Sequence, residues 1–274
     1  MAGAPAFLYG PFVFASGTLM RNADPDDHED TPREVVAIGN EYPPAFELAR
    51  HQHRRAQLLY AAEGVVTVDT DQGAWVAPPE RAVWIPAGVW HAVKMVGAVS
   101  TRSVLIDRDI RPNPSKRCEV LAVSPLLRSL LLAAPDLSLE YDLEGRDGLV
   151  MALLAAEVAR APVIPLAVPF PHGAELARLC HAFLANPDAQ ATIDGWSAAL
   201  NLGRRAFTRA FRRETGMSCA AWRQQACLLA ALPRLAAGEP VTAVALDLGY
   251  DSPAAFSTMF RRLLGIPPSR YRGT

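Results

Sequence analysis

Several features that would place a protein in a membrane, in an oxidising compartment or on a structural zinc are missing from this sequence. The four cysteines form no Cys-x-x-Cys pair, which argues for reduced thiols and against a disulfide framework or a zinc finger. No uninterrupted apolar run is long enough to cross a bilayer. The formal net charge is only -1, so the chain as a whole has no excess charge for binding nucleic acid. We therefore expect a cytoplasmic globular protein, and its 274 residues are enough for two domains.

The near-zero net charge conceals an uneven distribution of charge along the chain. The segment from Thr192 to the C-terminus contains 11 arginines and 5 acidic residues, a net charge of +6. The 191 residues before it contain 16 basic and 23 acidic residues, a net charge of -7. A basic segment joined to an acidic one indicates that the C-terminal part meets phosphate groups and that the N-terminal part does not.

Residues 1–31 are predicted to form a flexible N-terminal extension. The stretch MAGAPAFLYGPFVFASGTLM is mildly apolar, but it has no basic start and is interrupted by Pro5 and Pro11, so it does not fit the pattern of a signal peptide. Met20 is an alternative initiator. The polar stretch DPDDHEDTP completes the extension.

Residues 32–108 have the pattern of a small β-barrel. Short β-type runs such as EVVAIG, AQLLYA, GVVTVDT and HAVKMVG follow one another, and Gly or Pro separates most of them. Residues 109–190 are predicted to be a linker followed by a helical connector, whose first helix should begin at Ser124 and Pro125. Leucine-rich faces at 124–133 and 148–159 suit either a homodimer interface or packing against the barrel.

Residues 191–274 are almost entirely helical in pattern and contain one plan twice. TIDGWSAALNLGRRAFTRAFRRETG is a helix, a short turn and a second helix, and VTAVALDLGYDSPAAFSTMFRRLLG repeats it. The turns contain Asn201 and Gly249, residue types that tolerate a positive φ. This is the helix-turn-helix plan, in which the second helix enters the major groove of DNA. Pro233 falls inside the helix that connects the copies and should weaken it by about 3 kcal/mol unless a kink is tolerated.

The second helix of the first copy has a cationic face. Four side chains repeat at i, i+3, i+4 and i+7 beside the apolar stripe: Arg205, Thr208, Arg209 and Arg212. An arginine can bind guanine through two hydrogen bonds, or it can bind a phosphate. Arg204 and Arg213 flank this face and are better placed for phosphate contacts. A solvated cationic surface would look the same on a single helix, but the tandem repeat favours DNA recognition.

The second helix of the second copy has a different surface. Ser252 is a good N-cap and Pro253 a good first helical residue. The outward face is small and weakly polar: Ala254, Ser257, Thr258 and Arg261. Such a face can contact thymine methyl groups and phosphates but makes few strong base contacts. The first copy should therefore provide most of the sequence discrimination, and the second should mainly clamp the DNA.

The segments RRAFTRAFRRETGMS and VALDLGYDSPAAFSTMFRRLLGIPPSRYR closely resemble those of AraC/XylS-type bacterial transcriptional regulators. The resemblance implies two helix-turn-helix units that are joined by a helix and read successive major-groove faces. It also implies which positions contact bases: Arg205, Thr208 and Arg209 in the first unit, and Ala254, Ser257 and Thr258 in the second. Gly203 departs from the usual Ser cap, and Cys227 stands where an Arg is common.

The N-terminal segment also carries a constellation of histidines. HQHRRAQLLYAAEG followed by PAGVWH resembles the cupin motif pair, with His51, His53, Gln57 and His91 at the matching positions and Gln in place of the usual Glu. In a continuous strand, residues 51, 53 and 57 would point to one side. Three interpretations remain open: a site for Zn²⁺, Ni²⁺, Fe²⁺ or Mn²⁺, a metal-free effector pocket lined also by Trp75 and Trp84, or a catalytic centre. Catalysis is the weakest of the three, because no general base pair or nucleophile accompanies the histidines.

Together these patterns predict an α+β protein of two domains, a cupin-like β-barrel followed by an all-α double helix-turn-helix domain. We expect a sequence-specific transcriptional regulator that is controlled by a small-molecule effector, binds an operator in double-stranded DNA and forms a homodimer. Resemblance implies that activation through RNA polymerase is commoner than repression. The alternatives are a metal-dependent cupin enzyme with an accessory helical domain and a non-specific DNA-compacting protein.

Overall fold

The computed structural model describes residues 25–271 except 78–80, 108–109, 112–114 and 165. The described residues form a nine-stranded sheet in which all strand pairs are antiparallel. The strands are β1 (Val35–Tyr42), β2 (Glu47–His51), β3 (Ala56–Thr70), β4 (Gly73–Ala77), β5 (Arg81–Ile85), β6 (His91–Ile106), β7 (Glu119–Ala122), β8 (Val163–Ile164) and β9 (Ala167–Pro169).

Two long strands, β3 and β6, fold this sheet into two layers. The first half of β3 and the second half of β6 pair with each other and with β5 and β1, whereas their other halves pair with β4 and β2. The bend falls at Gly64 and Gly97, which both have a φ of 74°. A Cβ atom on Gly64 would lie 2.5 Å from the carbonyl oxygen of Ala98, so only glycine fits this bend. The result is an incompletely closed, cupin-like jelly roll, as the sequence predicts.

The sheet also takes up segments that the sequence assigned to other regions. Strands β7, β8 and β9 come from residues 109–190, which were predicted to be only linker and helical connector. All three are short, and β8 and β9 lie at edges of the sheet, where proline is tolerated. The predicted flexible extension is also partly ordered, because Pro25–His28 form a 3-10 turn and the buried Arg55 guanidinium donates to the carbonyl oxygen of Thr31 at 2.7 Å. The rest of the extension, with Met20, lies outside the described residues.

Eight α-helices are present in the described part of the chain, and two of them cover one outer face of the sheet. They are α1 (Pro125–Ala133), α2 (Arg146–Arg160), α3 (Ala174–Ala185), α4 (Ile193–Ala199), α5 (Arg204–Thr215), α6 (Cys219–Ala236), α7 (Val241–Asp247) and α8 (Pro253–Leu264). The Ser124 side chain caps α1 by accepting from the Leu127 amide, as predicted. Leu131 of α1 and Leu154 of α2 are fully buried in a cluster that also contains Trp84 of β5.

Helices α4 and α5 form the first helix-turn-helix unit, and α7 and α8 form the second. Asn201 and Gly249 adopt the predicted positive φ angles of 52° and 76° in the two turns. Helix α6 connects the units and continues through Pro233 to Ala236. All four cysteines are buried and free of disulfides. None of the helices among the described residues is both long and apolar enough to cross a membrane.

Candidate DNA-binding surface and sensor site

The first candidate DNA-binding helix, α5, is held by an aromatic core. Phe207 and Phe211 are fully buried and pack with Trp196 of α4 and Trp222 of α6. Ring centroids lie 6.0 to 6.3 Å apart in the three pairs that join one of these phenylalanines to one of the tryptophans. Gly203 provides no side-chain cap at the start of α5, as its sequence implies. The left-handed Gly216 ends the helix. With one face fixed in this way, the opposite face of α5 is presented to solvent.

The predicted contact residues of α5 are all exposed, but they differ in what they touch: Arg204, Arg205, Thr208, Arg209, Arg212 and Arg213. Arg204 pairs with Asp194 at 3.3 Å and Arg213 with Glu214 at 3.1 Å. The Thr208 hydroxyl donates to the carbonyl oxygen of Arg204, so its methyl group is the part left for a ligand. Within the described part of the chain, the other three arginines have no ion-pair or hydrogen-bond partner. Their guanidinium groups are therefore free to bind bases or phosphates.

The corresponding helix of the second unit, α8, presents a flatter and less charged face. The Ser252 side chain caps the helix by accepting from the Ala255 amide at 3.2 Å, so its oxygen already has a structural role. Ala254 and Thr258 are exposed, Ser257 is partly buried, and Arg261 is exposed near the C-terminus of the helix. The Thr258 hydroxyl donates to the carbonyl oxygen of Ala254. The small surface predicted from the sequence is thus present.

The three histidines of the N-terminal domain come together. Their ring centroids are 4.3 Å apart for His51 and His91, 4.9 Å for His51 and His53, and 5.4 Å for His53 and His91. One ligand atom from each lies within 4.8 Å of the other two. The chain reaches this arrangement in an unexpected way, because HQHRRAQ is not one strand: His51 ends β2, His53 follows it, and β3 begins only at Ala56.

The turn from Pro86 to Gly88 returns the chain to this cluster. The Gly88 amide donates to the carbonyl oxygen of His53 at 2.8 Å, and Gly88 has a φ of 72°. The Nδ1 atoms of His51 and His91 lie 2.6 and 2.9 Å from the carbonyl oxygens of Ala49 and Val89. These contacts favour a proton on Nδ1 and leave Nε2 as the ligand atom. The His91 Nε2 atom is buried and has no hydrogen-bond partner among the described residues.

The pKa of His91 is lowered to about 4, chiefly by burial and to a smaller extent by the neighbouring His51 and His53. At neutral pH the His91 ring is therefore uncharged. A neutral imidazole is the form that binds a metal ion or accepts a hydrogen bond.

The other predicted pocket residues do not all share the histidine face. Trp75 does share it. Paired residues point to the same face of a sheet, and Thr70 pairs both with His91 and with Gly73. Trp75 lies two residues beyond Gly73 in β4 and therefore points to that face as well. Its buried Nε1 atom has no hydrogen-bond partner in the described part of the chain. Trp84, in contrast, pairs with Leu58 and packs under α1 and α2, on the outer face of the sheet.

Gln57 points to the inner side of the sheet, because the adjacent Leu58 points to the outer side. Its amide nitrogen donates to the Ser103 hydroxyl at 3.0 Å. Its buried Oε1 atom has no partner among the described residues. The amide therefore offers a neutral oxygen to a ligand where a cupin carboxylate would offer a charged one.

The sensor domain and the DNA-binding units are in direct contact. The indole N–H of Trp222 in α6 donates to the carbonyl oxygen of Pro169 in β9 at 2.8 Å, and Trp222 is completely buried. On α3, the His181 ring lies 4.1 Å from the ring of Phe170. These contacts were not predicted, because they join a proline-rich link to the helical domain and no local pattern indicates them.

Two family models match the chain: an AraC-like ligand binding domain over residues 35–156 and a helix-turn-helix domain over residues 196–274. The HTH-type transcriptional regulator NimR of Escherichia coli (strain K12) is 32% identical over 221 residues, which are 81% of each chain. Two solved structures are also similar. For ToxT from Vibrio cholerae O395 the identity is 9%, and the match covers 87% of this chain and 98% of that one, with a TM-score of 0.37. The DNA-binding domain of AdpA in complex with a target DNA is 31% identical and covers 36% of this chain and 90% of its own, with a TM-score of 0.35.

The two matched models divide the chain as the charge distribution does, with a ligand-binding part before a DNA-binding part. The alternative of a metal-dependent enzyme receives no support from these relatives. The chain belongs to the AraC family of helix-turn-helix transcriptional regulators, and it is a DNA-binding regulator with a ligand-binding domain.

Proposed function

We propose that this regulator senses a divalent transition metal ion through His51, His53 and His91, and that the bound ion changes how the helix-turn-helix units bind DNA. The observation that carries the proposal is the approach of three imidazole ligand atoms to within 4.8 Å of one another inside the sensor domain. Three neutral nitrogen ligands suit borderline ions such as Zn²⁺, Ni²⁺ and Fe²⁺, and suit Mn²⁺ less well. The ion would supply positive charge that orders the three rings around it.

The donor set fits such an ion without suggesting catalysis. If the buried Gln57 oxygen served as a fourth donor, it would be neutral, so the site would keep the full charge of the ion and would bind it less tightly than a site with a carboxylate. Moderate affinity suits a sensor that must release its effector. The competing interpretation is a metal-free pocket for a small polar molecule, which would use the same buried atoms of Gln57, Trp75 and His91.

A binding experiment separates these two interpretations. Purified protein that has been treated with chelator is titrated calorimetrically with ZnCl₂, NiCl₂ and MnCl₂, and operator binding is measured with and without the ion. We expect one ion per chain, a change in DNA affinity, and loss of both in His91→Ala. The matched control is His172→Ala, a histidine outside the cluster. If no ion binds and chelator leaves DNA binding unchanged, the metal interpretation is refuted and the metal-free pocket is favoured.

For DNA recognition we propose that α5 reads base edges and that α8 mainly positions the protein. Arg205, Arg209 and Arg212 support this role because they are exposed and unpaired within the described part of the chain. Arg204 and Arg213 already have acidic neighbours and would contact phosphates. Ser252, Ala254, Ser257, Thr258 and Arg261 would make the weaker contacts of the second unit.

We also propose that the regulator acts as a homodimer through α2. Leu149, Ala152, Leu153 and Ala156 form an exposed apolar stripe at i, i+3, i+4 and i+7, and Leu149 is 67% exposed. The α2 side of the groove beside it, of about 760 Å³, consists largely of small residues that allow a helix to approach closely: Gly148, Ala152, Ala155, Ala156 and Ala159. Antiparallel pairing of two α2 helices would bring Asp147 of one copy near Arg160 of the other. We expect the double variant Leu149→Glu/Leu153→Glu to sediment as a monomer, and a dimer in this variant would refute the interface.

RNA polymerase is the remaining proposed partner, in the cytoplasm where the DNA is. Leu246 of α7 supports a protein contact because it is apolar and 59% exposed on the helix that does not enter the groove. Leu246→Glu should then reduce transcription in vitro while operator affinity stays unchanged. Equal transcription from wild type and variant would remove this support.

A further inference from the structure

A second connection joins the two helix-turn-helix units, in addition to α6. It is made by residues 188–190, which lie between α3 and α4 directly before the first unit. The Ala189 amide donates to the carbonyl oxygen of Leu248 at 2.8 Å. The Gln190 side-chain amide donates to the carbonyl oxygen of Gly249 at 3.0 Å and to Oδ1 of Asp251 at 2.7 Å. We call this contact the turn brace, because residues 248–251 are the turn of the second unit.

The two segments of the turn brace approach each other closely. Asp188 Oδ1 accepts from the backbone N–H of Gln190 at 2.8 Å. A Cβ atom on Gly249 would lie only 2.2 Å from that same oxygen. Gly249 is therefore needed twice, once for its positive φ of 76° and once for the space it leaves to Asp188. The two segments are therefore complementary in shape, since Asp188 occupies space that only a glycine at position 249 leaves open.

The turn brace lies next to the residues that begin the second recognition helix, so it can affect DNA recognition. Asp251 directly precedes Ser252, the N-cap of α8, and the N-terminal residues of a recognition helix are the ones that contact base edges. Gln190, at the other end of these hydrogen bonds, lies two residues before Thr192, the N-cap of α4. It thus ties the start of the second recognition helix to the start of the first unit.

Helix α6 alone holds the two units apart less rigidly than its 18 residues suggest. Pro233 lies in its last turn and cannot donate to the carbonyl oxygen of the residue four positions earlier. Arg234 compensates on the side of the second unit, because it bonds to Glu239 at 2.7 Å and to Asp247 of α7 at 2.6 Å. Those bonds fix α7 to the end of α6, and before the proline the Arg262 side chain of α8 donates to Gln224 Oε1 of α6 at 2.6 Å. This bond is exposed at the surface, so it is a weak restraint on bending at Pro233. The turn brace adds a connection between the two units that does not pass through α6.

We infer that Gln190 is a positioning residue that sets the spacing between the two major-groove contacts of this regulator. Gln190 does not touch DNA in this assignment. Its two hydrogen bonds hold the second unit at one distance and one rotation from the first. The regulator then discriminates between operators that carry the same two half-sites at different separations. This inference requires DNA binding by both units, and it does not depend on the effector or on a metal ion.

The test compares operators that differ only in spacing. The probe is the duplex that the wild-type full chain selects from a random library, together with versions that have one base pair inserted or removed between the two contact regions. One base pair moves the two groove faces apart by about 3.4 Å and rotates them by about 35°. Fluorescence anisotropy gives the ratio of dissociation constants for shifted and selected spacing. For the wild type we expect a ratio of about tenfold or more, the penalty of a poorly fitting site.

Three variants of Gln190 make the outcome specific. Gln190→Glu brings a carboxylate against Asp251 and the Gly249 carbonyl oxygen, and it should lower the ratio to about threefold or less, since the misfit is then absorbed by movement of the second unit. Gln190→Ala should lower the ratio in the same direction, and it decides the matter if Gln190→Glu does not fold. Gln190→Lys keeps a donor for both acceptors and should retain the wild-type ratio. Thr242→Ala, an exposed change in α7, is the matched control.

Three results would overturn the inference. The first is an unchanged ratio in Gln190→Glu and Gln190→Ala. The second is an equal loss of affinity at every spacing, which would mean that Gln190 only stabilises the domain. Loss of the spacing preference in Gln190→Lys would also contradict it, because the hydrogen bonds would then not be the cause.

Discussion

Replacing Arg209 with alanine tests the proposed recognition surface most directly. Arg209 is exposed, lies in the middle of α5 and has no hydrogen-bond or ion-pair partner in the described part of the chain. Its removal breaks no intramolecular contact, and a surface change of this kind alters the free energy of unfolding by less than about 0.5 kcal/mol. A bidentate contact with guanine contributes about 1–3 kcal/mol, so affinity for the selected operator should fall about 5- to 150-fold.

The pattern of the loss matters more than its size. If Arg209 reads a base, a repeated binding-site selection with Arg209→Ala should relax the preference at one base pair and leave the others unchanged. Arg204→Ala is the matched comparison, because Arg204 is also exposed on α5 but pairs with Asp194 at 3.3 Å. It should weaken binding to all duplexes alike and reduce the salt dependence by about one charge. The reasoning is refuted if Thr258→Ala relaxes specificity more than Arg209→Ala does.

Three further predictions concern stability, each measured by urea unfolding of the full chain. Trp222→Phe leaves the partly buried Pro169 carbonyl oxygen without its donor at 2.8 Å and should destabilise by about 1–3 kcal/mol; a loss below about 0.5 kcal/mol would mean that the contact contributes nothing. Gly64→Ala should cost more than Gly88→Ala, because both have a positive φ but only Gly64 has a carbonyl oxygen within 2.5 Å of the new Cβ. Ser252→Ala should cost about 1 kcal/mol through loss of the helix cap, and an unchanged midpoint would contradict the capping role.

The helical part of the fold could be predicted from the sequence because its determinants are local. A good N-cap followed by proline at Ser252 and a positive-φ residue at Asn201 each fix a boundary within a few residues of chain. The apolar spacing of Phe207 and Phe211 identifies the buried face of α5 in the same way. These signals need no knowledge of what the helix packs against.

The sheet was only partly predictable because its pairing is set by distant residues. Val163–Ile164 and Ala167–Pro169 are too short to show a period of two, and the prolines around them disfavour a strand in any central position. They pair because β7 and β4 present free edges to them. Likewise the face of Trp84 follows from its pairing with Leu58, which no single strand reveals.

The candidate sensor site was also predicted in part: the sequence indicated which residues come together, but not the path of the backbone between them. The grouping of His51, His53 and His91 was predicted from motif spacing, although the route of the chain through them was not. The chain leaves the strand here because of Arg55. Its side chain is 2% exposed, and its guanidinium group donates to backbone carbonyl oxygens that precede β1. A buried arginine with carbonyl partners breaks the strand between His51 and Ala56, and an Arg-Arg pair in a sequence is normally taken as solvated surface.

The positions of the sensor cluster and of Trp222 restrict how an effector can act on DNA binding. His91 pairs with Thr70, Thr70 with Gly73 across the β3–β4 turn, and Gly73 with Pro169, whose carbonyl oxygen accepts from Trp222. Trp222 belongs to α6 and packs with Phe211 of α5, so the first recognition helix shares its core with the edge of the sensor sheet. Because close-packed interiors do not deform continuously, a ligand that moves the β3–β4 turn must shift α6 as a unit or break the contact with Pro169. We expect either event to change the orientation of α5, and we expect the turn brace to move the second unit together with the first.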